Sequence, residues 1–444
     1  MKTALISTYE LGRQPFGLAS PAAWLRARGH EVRCADLSVS PLPRASIAEA
    51  GLVAFYLPMH TAARLAAPAI ERVRESNPGA HLAAYGLYAP LNESLLRKAG
   101  VATIIGGEFE AALADLADSL AVRRYSEPRS LVPLDRLRFL PPDREGLPGL
   151  HRYAKLRTGG GERTVGYTEA SRGCKHLCRH CPVVPVYQGA FRIVQPEVVL
   201  EDVRRQVEAG AGHITFGDPD FFNGPTHALR IVEEMHRQFP ALTYDATIKI
   251  EHLLARHDAL GTLRETGCLF VTSAVESLDD EVLAKLDKGH TRAGFLEAVA
   301  LCRAADLLLA PTFIAFTPWT TRESYRALLG AIAELDLIDQ VSPIQLALRL
   351  LIPNGSRLLE LEEVRRLTEA FDERALVWRW RHEDPAMDEL ARRVIRLVNQ
   401  EQKAGRSRRE IFWAIAQEAG ANLPDSPPLL ARAAIPYLNE PWYC

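Results

Sequence analysis

Short apolar runs alternate with helix-period stretches from the start of the chain. Residues 4–8 (ALIST), 31–35 (EVRCA), 52–57 (LVAFYL), 81–86 (HLAAYG) and 102–105 (ATII) read as strands. Helical patterns fill the gaps at 21–28, 61–75, 91–98 and 109–120. Such alternation predicts a parallel sheet with helices on both faces. Residues 1–122 are therefore expected to form a doubly wound α/β module. A break follows at 123–163, where Pro128, Pro133, Pro141, Pro142 and Pro148 lead into Gly159-Gly160-Gly161. This stretch reads as a linker. The glycines lack the Lys-Ser/Thr of a P-loop and the spacing of a dinucleotide fingerprint, so a plain turn is expected.

A second alternation occupies 164–352. Strands are predicted at 164–170, 213–218, 242–250, 268–276, 307–317 and 344–351, with helices at 196–208, 225–238, 252–266, 279–286, 292–305 and 322–335. Six β/α units predict a partial (β/α)6 barrel, with chemistry at the C-terminal ends of its strands. Residues 353–444 read as a helical region. Leu390, Val394, Leu397 and Val398 recur there at helical spacing, and the arginines of 392–409 read as a solvated face.

Composition narrows the class. Of 444 residues, 47% are hydrophobic and 24% charged, which describes a folded globular chain. The net charge of −2 lacks the basic excess of a nucleic-acid binder. No apolar run approaches the ~18–20 residues of a membrane helix. The first residues are too short an apolar stretch for a signal peptide. A cytoplasmic protein with no membrane or nucleic-acid partner is expected. The 7 cysteines are odd in number and sparse, which is no disulfide framework. Cys268 and Cys302 sit in apolar stretches and read as core.

Cys174, Cys178 and Cys181 form a C-x3-C-x2-C pattern just after the first strand of the second series. Three thiolates on one loop can converge on a soft metal centre. One reading is zinc, with His176 or His180 as a fourth ligand, in a regulatory or RNA-binding protein. The other is an iron–sulfur cluster. Such clusters usually have four cysteine ligands, so three leave one iron open.

So placed, the motif resembles the radical S-adenosylmethionine (SAM) superfamily. The resemblance implies a 4Fe–4S cluster on Cys174, Cys178 and Cys181, with SAM chelated to the open iron. It implies reductive cleavage of a carbon–sulfur bond of SAM and an electron donor such as flavodoxin or ferredoxin. It also implies SAM contacts. Gly217, Asp218 and Asp220 lie in a turn like the one that holds the SAM amino group, although a plain Asp-Pro turn reads the same. Lys249 stands where the family often has a basic residue facing the SAM carboxylate, and a surface lysine is its other reading. Ser273-Ala274-Val275-Glu276-Ser277 resembles the family's G-x-E-S segment, which brings in Ser273 and Glu276. A carboxylate among apolar strand residues needs a partner. Strand five ends Phe316-Thr317-Pro318-Trp319-Thr320 and departs from the family's usual G-x-P.

Pro15-Phe16-Gly17-Leu18, Gly29-His30-Glu31-Val32 and Gly106-Gly107-Glu108-Phe109-Glu110 resemble marks of the cobalamin-binding half of a large radical SAM subgroup. No D-x-H-x-x-G is present, and His60 is expected to face solvent from a loop. A cobalamin site and a vestigial scaffold both stay open. The ending Trp442-Tyr443-Cys444 resembles radical SAM proteins whose tails continue Cys-Ala-Glu-Pro or selenocysteine-Ala-Glu-Pro, some of them similar to the aminocarboxypropyl transferase of arsinothricin biosynthesis. That implies transfer of a 3-amino-3-carboxypropyl group to trivalent arsenic, with Cys444 presenting arsenite. It also implies a native chain that continues past Cys444 with selenocysteine. A cobalamin-dependent radical methyltransferase acting on a small molecule is the alternative.

Overall fold

A computed structural model describes residues 1–124, 129–423 and 436–438. Strands β1 (Lys2–Ser7), β2 (Glu31–Asp36), β3 (Leu52–Tyr56), β4 (His81–Tyr85), β5 (Thr103–Ile105) and β6 (Arg129–Leu131) form one parallel sheet. Its order is β2-β1-β3-β4-β5-β6. β3 is buried along its whole length, as a strand with helices on both faces must be. The order reverses around β1, and sheets of this kind take ligands in the crevice beside such a reversal.

The first helix runs Phe16–Ala27, so it starts before residue 21 and encloses Pro21. Proline has no N–H for the carbonyl four residues back. Here that carbonyl belongs to Gly17, and the Tyr85 hydroxyl donates to it at 2.8 Å. A tertiary bond thus replaces the missing helical one, which a local pattern cannot show.

Strands β7 (Lys155–Thr158) and β8 (Gly161–Thr168) form a hairpin through the expected glycine turn. A short ribbon follows, β9 (Ser171–Gly173) against β10 (Phe191–Ile193). Then come β11 (His213–Phe216), β12 (Thr243–Thr247), β13 (Cys268–Glu276) and β14 (Leu308–Phe313). Near the end, β15 (Thr368–Asp372) and β16 (Val377–Trp380) form a hairpin within the region read as helical, and β17 (Tyr437–Leu438) pairs with β7. The second sheet has the order β14-β13-β12-β11-β8-β7-β17, parallel from β8 to β14.

This is a partial barrel within an α/β fold, but the predicted sixth strand at 344–351 does not form. Residues Pro343–Leu346 make a 3-10 turn, and a single bridge joins Phe316 to Arg349. Pro343 opens the segment without an N–H, and the Gln345 side chain, not a backbone carbonyl, accepts from Phe313 N at 3.2 Å. Helices Pro385–Lys403 and Arg408–Ala419 complete the helical region, and their apolar faces join the core behind the second sheet. Cys268 and Cys302 are fully buried in that core, as expected. His60 opens helix His60–Ser76 rather than facing solvent, because Nε2 meets Ala375 O at 2.7 Å. Among the described residues, no helix is long and apolar enough to cross a membrane.

Candidate active site

Chain direction brings the cysteine loop to the end of β8. Gly173 enters it with φ +72°, and a Cβ there would lie 2.4 Å from Ala190 O and 2.5 Å from the Tyr187 ring. Only glycine tolerates that approach. Cys174 and Cys178 are buried and Cys181 is partly so. Burial pushes the Cys181 thiol up to about 12 and raises Cys174 as well. Asn223 Oδ1 accepts from Lys175 N at 3.2 Å and lies 3.8 Å from Cys174 Sγ. Lys249 Nζ stands 3.9 Å from Cys178 Sγ, and the Lys288 ammonium favours the Cys181 thiolate.

The thiols are spread apart. Among the described residues, one group of three metal-ligating side chains has all its ligand atoms within 4.8 Å, and it does not include the cysteines. One tetrahedral zinc, with bonds of ~2.3 Å, would hold its sulfurs within about 4 Å of each other. The wider spacing suits a polynuclear cluster.

The strand ends bring the other expected residues to the same mouth. A Cβ on Gly217 would lie 1.8 Å from the Tyr167 hydroxyl, so glycine is required where β11 meets β8. Asp218 accepts from Ala170 N at 2.9 Å and Ser171 Oγ at 2.5 Å, and burial raises its carboxyl to about 7. It fastens the entrance of the cysteine loop. Asp220 Oδ1 accepts from Phe222 N at 3.3 Å and Lys249 N at 3.4 Å. Lys249 is buried, not a surface lysine, and its ammonium meets Glu251 Oε2 at 3.1 Å. Ser273 is fully buried and its Oγ makes no hydrogen bond. Cys444 lies outside the described residues.

Glu276 has the partners its position demands. Its Oε1 lies 3.3 Å from Lys288 Nζ and 3.2 Å from His180 Nε2. Burial opposes its charge, yet Lys288 and His180 hold the carboxyl at about 2. Its φ of +69° is left-handed, a strained state for a side chain of this kind.

Sequence reasoning missed Lys288, His290 and Asn223. The run Lys288-Gly289-His290, after an αL Asp287, was the available signal. Both ring nitrogens of His290 are buried without a partner, and burial, helped by Lys288 and Lys249, lowers its pKa to about 4.

Arg172 ties this loop to the first sheet. It reaches Glu110 at 2.6 and 2.9 Å, Glu169 at 2.7 Å and Glu108 at 3.4 Å. The rings of Phe16, Phe109 and Phe139 surround its guanidinium. Burial lifts Glu108 to about 7 against the pull of Arg172, while Tyr187 donates to it at 3.0 Å. Beside this network, the Tyr56 and Tyr85 rings lie tilted at 5.3 Å, and Tyr85 meets Phe109 at 5.0 Å. At the ends of β3 and β4, then, the chain's own aromatic side chains pack on one another. By contrast, the second sheet encloses a cavity of about 270 Å³, with Thr215, Asp245, Thr247, Thr272, Gln345 and Arg408 in its lining.

Residues 168–325 match the Radical SAM superfamily. Over that stretch, about a third of the chain, the sequence is similar to radical SAM proteins. The match indicates an enzyme that works through a 4Fe–4S cluster and SAM. The radical SAM match spans β8, the cysteine loop and the strands through β14. Hopanoid C-3 methylase of Methylococcus capsulatus is 26% identical over 352 residues, 74% of this chain and 66% of that protein. The tRNA-2-methylthio-N(6)-dimethylallyladenosine synthase of Geobacter sulfurreducens is 25% identical over 42% of this chain and 43% of its own length. The chain thus spans about two thirds or less of these curated relatives. Two solved structures share the fold. The cobalamin-dependent SAM radical enzyme OxsB, with aqua-cobalamin and SAM bound, aligns with a TM-score of 0.69 at 13% identity, over 90% of this chain and 67% of its own. The radical SAM methyltransferase TsrM of Kitasatospora setae aligns at 0.59 with 18% identity, over 76% and 72%. These likenesses concern the fold described above.

Proposed function

We propose that this radical SAM enzyme is a transferase that moves a SAM-derived group onto a small molecule held in the barrel cavity. One observation carries the reading: three thiols of one loop after β8 lie close to buried ammonium groups, with Lys249 Nζ 3.9 Å from Cys178 Sγ and Lys288 favouring the Cys181 thiolate. Cys174, Cys178 and Cys181 are the cluster ligands. A 4Fe–4S cluster with an open iron, when bound, supplies the electron that splits the SAM sulfonium. The chain's own work is placement. Asp218 and Arg172 fix the entry to the loop, and Asn223 fixes its first turn. Lys249 offers a cation to the SAM carboxylate, while Gly217, Ser273 and Glu276 frame the remaining contacts at the strand ends. Asp220 holds the backbone of Lys249 in position. Flavodoxin or ferredoxin is the electron donor.

Transfer of a 3-amino-3-carboxypropyl group to trivalent arsenic, with Cys444 presenting the acceptor, is the finer form of this reading, and the tail sequence alone carries it. Cobalamin-dependent methyl transfer is a second reading, supported by the architecture shared with OxsB and TsrM.

Product analysis separates these. The protein is reconstituted with iron and sulfide under strict anoxia, reduced, and supplied with SAM and candidate acceptors including arsenite. Methylthioadenosine reports aminocarboxypropyl transfer. Deoxyadenosine with S-adenosylhomocysteine, and bound cobalamin, report methyl transfer. Stoichiometric zinc without sulfide, and no SAM cleavage, would end the radical reading.

A further inference from the structure

Beside the cysteine loop, three side chains from separate elements converge. His176 belongs to the loop itself, Asp220 to the turn after β11, and His252 to helix Ile250–Ala255 after β12. Asp220 Oδ2 lies 2.7 Å from His252 Nδ1 and 3.8 Å from His176 Nε2. The two imidazole rings meet edge to face at 4.9 Å. All three ligand atoms fall within 4.8 Å of one another.

None of these atoms makes a well-directed hydrogen bond, although each is shut off from solvent, and their closest approach, His252 Nδ1 to Asp220 Oδ2, is a misaligned ion-pair contact. Asp220 is wholly buried, and its other oxygen is used by Phe222 N and Lys249 N. That leaves Oδ2 aimed at the two rings. Buried polar atoms are rarely left unsatisfied, because burial without a partner is costly. Three of them in one place point to a missing ligand that all three can share.

A cation answers that description. Two imidazoles and one carboxylate, with further positions open, are a donor set for first-row divalent metals. The surroundings agree. His176 Nδ1 lies 3.5 Å from Glu251 Oε2, and a carboxylate on one ring nitrogen is what orients the other toward a metal. Lys249 is the nearby positive charge, and Glu251 pairs with it at 3.1 Å.

We propose that His176, Asp220 and His252 bind one divalent transition-metal ion, Zn²⁺ or Fe²⁺, separate from the cluster of the cysteine loop. Three protein ligands leave positions free for an oxygen donor of the substrate. This goes beyond the transferase reading, which gives the two histidines no role.

The test uses zinc on the anaerobically reconstituted protein, with zinc counted by mass spectrometry and the cluster counted by labile sulfide. One zinc per chain is expected beyond the cluster iron. His252→Ala should weaken zinc binding at least tenfold and leave sulfide unchanged. His252 is partly exposed, so this substitution spares the core. Asp220→Asn should act alike, with circular dichroism checking the fold. In the triple variant Cys174→Ala, Cys178→Ala, Cys181→Ala, zinc uptake should persist. Failure of the cluster reading is thereby told apart from failure of this one. Wild-type protein that takes up no zinc, or takes up no more than His252→Ala, would overturn the proposal.

Discussion

At the ends of β3 and β4, in the first sheet, Tyr56 and Tyr85 close on each other and on Phe109, and the Tyr85 hydroxyl is bonded to Gly17 O. At the ends of β11 to β13, in the second, Asp220 and Ser273 keep buried oxygens without a well-directed hydrogen bond, and so do both ring nitrogens of His290 nearby. Both sheets are parallel, both alternate with helices, and both end their strands toward the Arg172 network. Their difference separates two uses of one architecture. Filled strand ends give stability and a firm platform. Strand ends with orphaned polar groups are finished only when something binds.

The sharpest way to break this comparison is at the cysteines. Replacing Cys174, Cys178 or Cys181 by Ala should abolish cluster assembly and SAM cleavage, read by labile sulfide and product chromatography. Full activity in any one of them would remove the second sheet's claim to the chemistry.

Next in size is the joint between the sheets. Arg172→Met strands Glu110 and Glu169 as buried carboxylates without a cation. Breaking a buried pair in this way costs about 3–5 kcal/mol. Chemical denaturation should show that loss, together with lower cluster occupancy. A loss of under about 1 kcal/mol would mean that the network does not join the sheets.

A smaller effect tests the aromatic packing of the first sheet. A Cβ at Gly17 would lie 2.1 Å from the Tyr56 ring. Gly17→Ala gains up to ~1 kcal/mol of helix propensity. Overpacking of a filled site costs about 1–3 kcal/mol, so net destabilisation is expected in thermal melts. A stabilised variant would mean that this packing has room.

The least of the four is a pH effect at His290. Burial holds its pKa down at about 4, below an ordinary value near 6.5. Between those values the unfolded chain binds a proton that the folded chain refuses. Stability should therefore fall as pH drops below 6.5, by about 1 kcal/mol in the first unit. Melts of wild type and His290→Gln at pH 6.5 and 5.5 should differ in that slope. Equal slopes would show that His290 is not the group responsible.

Much of this was legible in the chain. The first five strands of the first sheet lie within a residue or two of their apolar runs, because burial on both faces demands continuous apolar sequence, whereas the exposed edge strand β6 falls in the stretch read as a linker. The cysteine motif was legible because its ligands are close in sequence. Glu276 stood out because a carboxylate in an apolar strand cannot go unpaired. The failures have equally definite causes. Residues 344–351 look like a strand, yet lie beside an edge where Gln345 takes the hydrogen bond that a ladder would need. Pro21 looks like a helix start, yet Tyr85, far along the chain, satisfies the carbonyl it leaves free. The hairpin of β15 and β16 carries no strong alternation and was absorbed into a helical reading.

By itself the sequence determined the alternation of elements, the two sheets and the trio of thiols, since each depends on residues a few positions apart. Only the tertiary structure decided which lysines face the thiols, that Asp218 fastens a loop, that Arg172 bridges two sheets, and that His176, Asp220 and His252 meet. Those contacts join segments tens of residues apart. The energy of a buried charge or an unpaired donor depends on what stands opposite it in space, and no local pattern records that.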